Sequence, residues 1–145
     1  MAGKYTGLQK SYRISPDNVN FDNNKNEIPM YRGVVASDDD YCMLPPEDNM
    51  TPLGVVDNDE RLDDPIRDGG SQAHRQIAVK LQGIAEIKIE GPVTVGQRVI
   101  LAKGGKAKAV PNSPGVYEVL GFAERTGVDG DVIPVRMAYH VYTIA

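Results

Sequence analysis

Residues 77–89, IAVKLQGIAEIKI, decide how the rest of the chain is read. Ile77, Val79, Leu81, Gly83, Ala85, Ile87 and Ile89 fall on every second position, with Lys80, Gln82, Glu86 and Lys88 between them. A period of two with apolar residues on one side marks a strand that buries one face. At about 3.3 Å per residue the stretch would run about 43 Å, too long for one flat strand of a small domain. The spacing therefore predicts a bend at Gly83, where the chain crosses from one sheet to another.

Working toward the C-terminus, a Gly-Pro break at Gly91–Pro92 ends this strand. Val99 and Leu101, then Ala107 and Ala109, alternate with polar neighbours across AKGGKA (102–107), and a double glycine between alternating runs predicts a hairpin. Ile133, Val135, Met137, Tyr139 and Val141 repeat the period of two, with Arg136 and His140 on the opposite face. Pro134 places the start of that strand at an edge or at its first residues.

Toward the N-terminus the runs are shorter: YRGVVA (31–36), YCML (41–44) and LGVVD (53–57), separated by Asp-, Pro- and Asn-rich turns. Residues 56–75, VDNDERLDDPIRDGGSQAHR, read as a long polar loop. No stretch carries apolar residues at three-and-four spacing long enough for a substantial helix. The expected fold is all-β: a small β-barrel or β-tulip domain over residues 31–145, with an acidic loop at about 57–75.

An internal echo runs through this pattern. PLGVV (52–56) with IAVKL (77–81) resembles VLGFA (119–123) with IPVRM (133–137). Two readings stay open: coincidence among short β motifs, or two similar hairpins that together close one barrel.

Residues 1–30 are polar and asparagine-rich, with their apolar residues scattered. They are expected to form an extended arm. A disordered tail is the alternative, but a solvated tail has little reason to keep tyrosines and aliphatics. If the arm orders on a partner surface, Tyr5, Leu8, Tyr12, Ile14 and Phe21 are the expected contact residues, since exposed apolar groups need something to cover them.

Composition bounds the function. The length suits one core with appendages, and 41% apolar with 25% charged residues is a globular balance. No unbroken apolar run reaches the roughly 18 residues of a membrane span. The N-terminus lacks the apolar core of a secretory signal, so synthesis in the cytoplasm is expected. The single Cys42 leaves no internal disulfide and reads as a small buried hydrophobe. Residues 31–75 carry eleven acidic and four basic side chains, and the remainder nine and twelve. Neither part has a dense basic face, so nucleic acid is not an expected partner, and neither is a membrane.

No catalytic constellation emerges, and no cofactor or metal is expected. Lys106 at the hairpin tip, after TVGQRV (94–99), mimics the modified lysine of lipoyl and biotinyl carrier domains. Its flanks, GGKAK, lack the acidic residue or methionines that those ligases read. Lys103, Lys106 and Lys108 read more simply as solubilising an exposed turn. Asp57, Asn58, Asp59 and Asp63 begin like a calcium loop, but Arg61 stands where a third oxygen ligand belongs. Asp38, Asp39 and Asp40 read as a solvated face or a cation site. His74 and His140 have no zinc-binding spacing. Tyr117, Tyr139 and Tyr142 could stack sugars in a carbohydrate- or host-surface-binding domain, although the chain has no tryptophan.

The order of IAVKLQGIAEIKIEGPVTVGQRVIL, KGGKAKAV, YEVLGFAE, TGVDGD and VIPVRM resembles the capsid decoration, or cement, proteins of tailed bacteriophages. The resemblance is best over residues 76–137. It implies a homotrimer on the outer face of a capsid, synthesised in the host cytoplasm. Its partners would be the major capsid protein, copies of itself and neighbouring decoration trimers reached through the arm.

Overall fold

The alternating stretch breaks where the spacing predicts. Gly83 has φ +101°, a conformation that favours glycine. It separates β5 (Gln76–Lys80) in one sheet from β6 (Ile84–Lys88) in the next. In this computed structural model residues 7–58 and 75–145 are described, and among them every regular element is a strand. The remaining strands are β1 (Gln9–Ile14), β2 (Arg32–Ala36), β3 (Tyr41–Met43), β4 (Gly54–Val56), β7 (Arg98–Leu101), β8 (Ala107–Ala109), β9 (Gly115–Ala123) and β10 (Val132–Ile144).

The first five strands close a barrel in the order β1-β3-β2-β4-β5, with β1 returning to pair with β5. The last five form a sheet in the order β6-β10-β9-β7-β8. The closed barrel therefore lies in the first half of the chain. Gly83 then hands the chain over to the second sheet.

The two halves share one wiring. Val55 pairs with Lys80 and Phe122 with Arg136; Gly33 pairs with Val55 and Arg98 with Phe122. Ala36 faces Cys42 as Leu101 faces Ala107. Ile14 meets Cys42 in parallel, and Ile89 meets Ala107 in parallel at an isolated bridge. The backbone bonds repeat as well: Ser15 N–H donates to Cys42 O and Glu90 N–H to Ala107 O, at 2.9 and 2.8 Å. Left-handed turn positions coincide too, since Tyr31 (φ +67°) matches Gly96 (+86°) and Asp40 (+61°) matches Gly105 (+94°). The echo in the sequence is thus a structural repeat of a whole five-strand unit. Its hairpins belong to separate units rather than closing one barrel together.

Equivalent positions fill equivalent cores. Ile14, Val34, Val56, Ile77 and Val79 lie in the first; Ile89, Val99, Ala123, Ile133 and Val135 lie in the second. Val35 and Val55, on the outside of the barrel, join the second core and so form the seam between units. Gly105 is pressed onto Gly33 there: Gly33 N–H donates to Gly105 O at 2.7 Å, and a Cβ on Gly105 would lie 2.5 Å from Gly33 O.

Of the arm expected over residues 1–30, Gln9–Ile14 is a strand of the barrel. β1 pairs with β5 over five residues and with β3 over two. Its pattern was hard to see because only Tyr12 and Ile14 turn inward. The asparagine-rich segment after β1 is held by its own amides. Asn18 donates to Asn26 Oδ1 and to Glu27 O and accepts from Leu44 N–H, while Asn20 and Asn23 both donate to Glu27 Oε2. Residues 59–74, most of the acidic loop, lie outside the described residues, as does Tyr5.

Candidate interaction surfaces

The repeat makes its differences informative. At equivalent positions the units carry an acid–base pair: Lys80 Nζ to Asp57 Oδ2 at 2.9 Å, and Arg136 Nε to Glu124 Oε1 at 3.1 Å. The first pair is buried, with side chains 1% and 5% exposed, because β6 covers it. Glu86 N–H donates to Asp57 Oδ2 and Lys80 Nζ donates to Ile84 O. The second pair is open to solvent at 58% and 38%. Asp57 Oδ1 is buried without a hydrogen-bond partner in the structure.

On the uncovered outer face of the second unit, Phe122 takes the place that Val55 has at the seam. Arg98 and Arg136 lie over its ring at 5.4 and 5.1 Å, and His140 stacks on it at 5.4 Å. Arg98 Nε donates to His140 Nε2 at 3.0 Å, which leaves Nδ1 to donate to Ala138 O at 2.7 Å. These two bonds fix the imidazole as a cap on the ring. Arg98 also lies over Tyr142 at 4.1 Å. This is an apolar face sealed by cations and rings.

Each expected contact residue now has a place. Ile14 is fully buried in the barrel core, which corrects its assignment to a partner surface. Tyr12 is half-buried against the same core, beneath Lys10 Nζ at 4.8 Å. Leu8 is exposed at the start of β1, and Phe21 is exposed with Lys103 Nζ 4.5 Å over its ring. Leu8 and Phe21 are thus the accessible members of the described set.

The hairpin tip does not project. Gly104 N–H donates to Pro45 O, Gly105 is seated on Gly33, and Lys108 Nζ bonds Asp48 at 2.8 Å. Lys106 is half-buried on this docked turn rather than on a swinging tip. Asp48 is held below the usual carboxylate range, chiefly by Lys108 and then by Lys103 N–H. Asp40 pairs with Lys10 at 3.2 Å, and no group of three or more His, Cys, Asp or Glu able to hold a metal occurs among the described residues. His74 falls outside them.

The three tyrosines make no common platform. Tyr117 is buried with its hydroxyl donating to Ser113 O, Tyr142 lies under Arg98, and Tyr139 is on the other face with its hydroxyl donating to Glu118 Oε2. Cys42 is buried, and burial pushes its thiol up to about 12.

Sequence reasoning missed the exposure of Tyr139 and Val141. The alternation places them on the same face as Ile133 and Val135, but β10 outruns the core. Beyond Met137 that face looks onto solvent, leaving Tyr139 and Val141 at 53% and 55%.

No protein-family model and no curated protein matches the sequence. Among solved structures the chain is similar to the head fiber gp8.5 N base of bacteriophage phi29. The TM-score is 0.59 at 14% identity, over 93% of this chain and 95% of that one. The likeness establishes a shared fold.

Proposed function

We propose that the chain is a structural protein of a phage virion that sits on the outer capsid surface as a homotrimer and cements adjacent capsid subunits. The observation that supports this most is fold agreement along nearly the whole of both chains with a phage head fiber base. A second support is the resemblance of residues 76–137 to capsid cement proteins.

The physical features suit such a role. A barrel and a five-stranded sheet share a seam, and a net charge of −4 gives no general attraction to packaged nucleic acid. Capsid contact through Leu8 and Phe21 would be weak in one copy. Linked copies strengthen it, because after the first contact each further one forms at high effective concentration.

The test uses emptied capsids of the phage that carries this chain. Added protein should co-sediment with them to saturation and raise the temperature at which they rupture. A Leu8→Ser, Phe21→Ser double variant with unchanged circular dichroism should bind less. Protein that stays in the supernatant and leaves the rupture temperature unmoved would refute the reading.

A further inference from the structure

Arg32 and Gln97 hold the same place in the two units. Each follows a left-handed turn position, Tyr31 or Gly96, whose N–H donates to Val56 O or Ala123 O at 2.6 and 2.7 Å. Gln97 spends its side chain on its own turn, with Oε1 accepting from Thr94 N–H at 2.7 Å. The shared fold therefore does not require a guanidinium at Arg32.

Arg32 is nevertheless buried, its side chain 8% exposed. Burial acts against its charge and lowers its pKa from the usual arginine range, with Asp22 acting the other way. A buried charge is costly unless it is paired and hydrogen-bonded, and a guanidinium has five N–H donors to satisfy. The pairing here is loose. Asp22 Oδ2 stands 3.6 Å from Arg32 on a side chain 69% exposed, whereas a charge-assisted hydrogen bond spans about 2.7–2.9 Å.

The guanidinium borders a cavity of about 70 Å³ lined also by Phe21, Asp22, Glu90, Lys103 and Lys106. Its wall comes from both units, since Arg32 belongs to β2 and the two lysines to the β7–β8 hairpin. That hairpin is fixed: Gly104 N–H donates to Pro45 O and Ala102 N–H to Lys106 O. Lys103 Nζ lies over the Phe21 ring at 4.5 Å. Among the described residues Lys103, Lys106 and Glu90 form no ion pair.

Size and charge define what fits. One water needs about 10–15 Å³, and pockets for drug-sized ligands hold about 300–1,000 Å³, so this cavity suits one small polar group. Arg32, Lys103 and Lys106 against Asp22 and Glu90 leave a single positive charge. One negative charge balances it, whereas a phosphate dianion would be repelled by the two acids. A carboxylate carries that one charge, and its two oxygens match the parallel N–H groups of a guanidinium.

We propose that this cavity binds a single carboxylate group, gripped by Arg32 and flanked by Lys103 and Lys106. The inference is independent of the capsid reading, and its test needs only the full chain. Sodium acetate should raise the melting temperature saturably, beyond sodium chloride of equal ionic strength, and phosphate should do less. Arg32→Gln, which installs the residue type of the second unit, should stay folded by circular dichroism and lose the acetate response. Lys106→Gln, on the docked turn, should weaken the apparent acetate affinity about tenfold. Arg136→Gln, outside the cavity, should keep the wild-type response. N-acetylaspartate N-methylamide separates the sources: a response matching acetate supports a protein side chain as the natural ligand, and a response to acetate alone supports a free small carboxylate. Acetate acting no differently from chloride, phosphate outperforming acetate, or a response that survives both cavity variants or vanishes in Arg136→Gln overturns the proposal.

Discussion

Lys80 and Arg136 occupy the same place in the two units, yet their surroundings predict opposite costs of removal. Lys80→Met would strand Asp57 in a buried site whose Oδ1 already lacks a partner, and breaking one side of a buried pair costs about 3–5 kcal/mol. Arg136→Met removes a solvent-exposed pair and should cost no more than about 1 kcal/mol. Urea denaturation of the two variants checks this, and equal midpoints would contradict the seam as drawn. A thiol pushed up to about 12 is almost wholly protonated at pH 8, so Cys42 should resist a disulfide reagent until the protein unfolds. Rapid labelling of the native protein would contradict its burial. These contrasts were not legible in the sequence, because Asp57 and Lys80 are 23 residues apart and only the seam brings Glu86 N–H onto the carboxylate.

At the scale of elements, alternation was readable wherever it was long. Residues 77–89 revealed both strands and the break at Gly83, and AKGGKA revealed the β7–β8 hairpin. β1 escaped because six residues with two inward side chains show too little period to stand out. The asparagines after it looked like a solvated tail but are consumed by local hydrogen bonds. Deleting residues 1–14 should therefore open the barrel and abolish cooperative unfolding. A truncated protein that melts like the full chain would restore the arm. Gly54 and Gly121 are equivalent in the repeat, and a Cβ on either would lie 2.3 or 2.1 Å from the carbonyl oxygen of Lys80 or Arg136. Each change to alanine should thus destabilise by about 1–3 kcal/mol, for the same reason. Calorimetry finding one site tolerant would break the equivalence.

At the scale of the molecule, one unit of five strands is used twice among the described residues. The seam needs Gly33 and Gly105 in close approach, but their counterparts are Arg98 and Asp40, and Phe122 is capped by Arg98, Arg136 and His140. The outer face of the second unit is therefore unlike the seam face of the first. The LG motifs at 53–54 and 120–121 were the visible trace of this duplication; the rest lay in pairing registers that no residue identity reports. The account's central claim is that this body stands on a phage capsid, and electron cryomicroscopy of purified particles tests it most directly. Density on the outer capsid surface should accommodate the two-unit body with Leu8 and Phe21 toward the shell. Particles that lack the chain, or hold it inside the shell against the genome, would contradict the account.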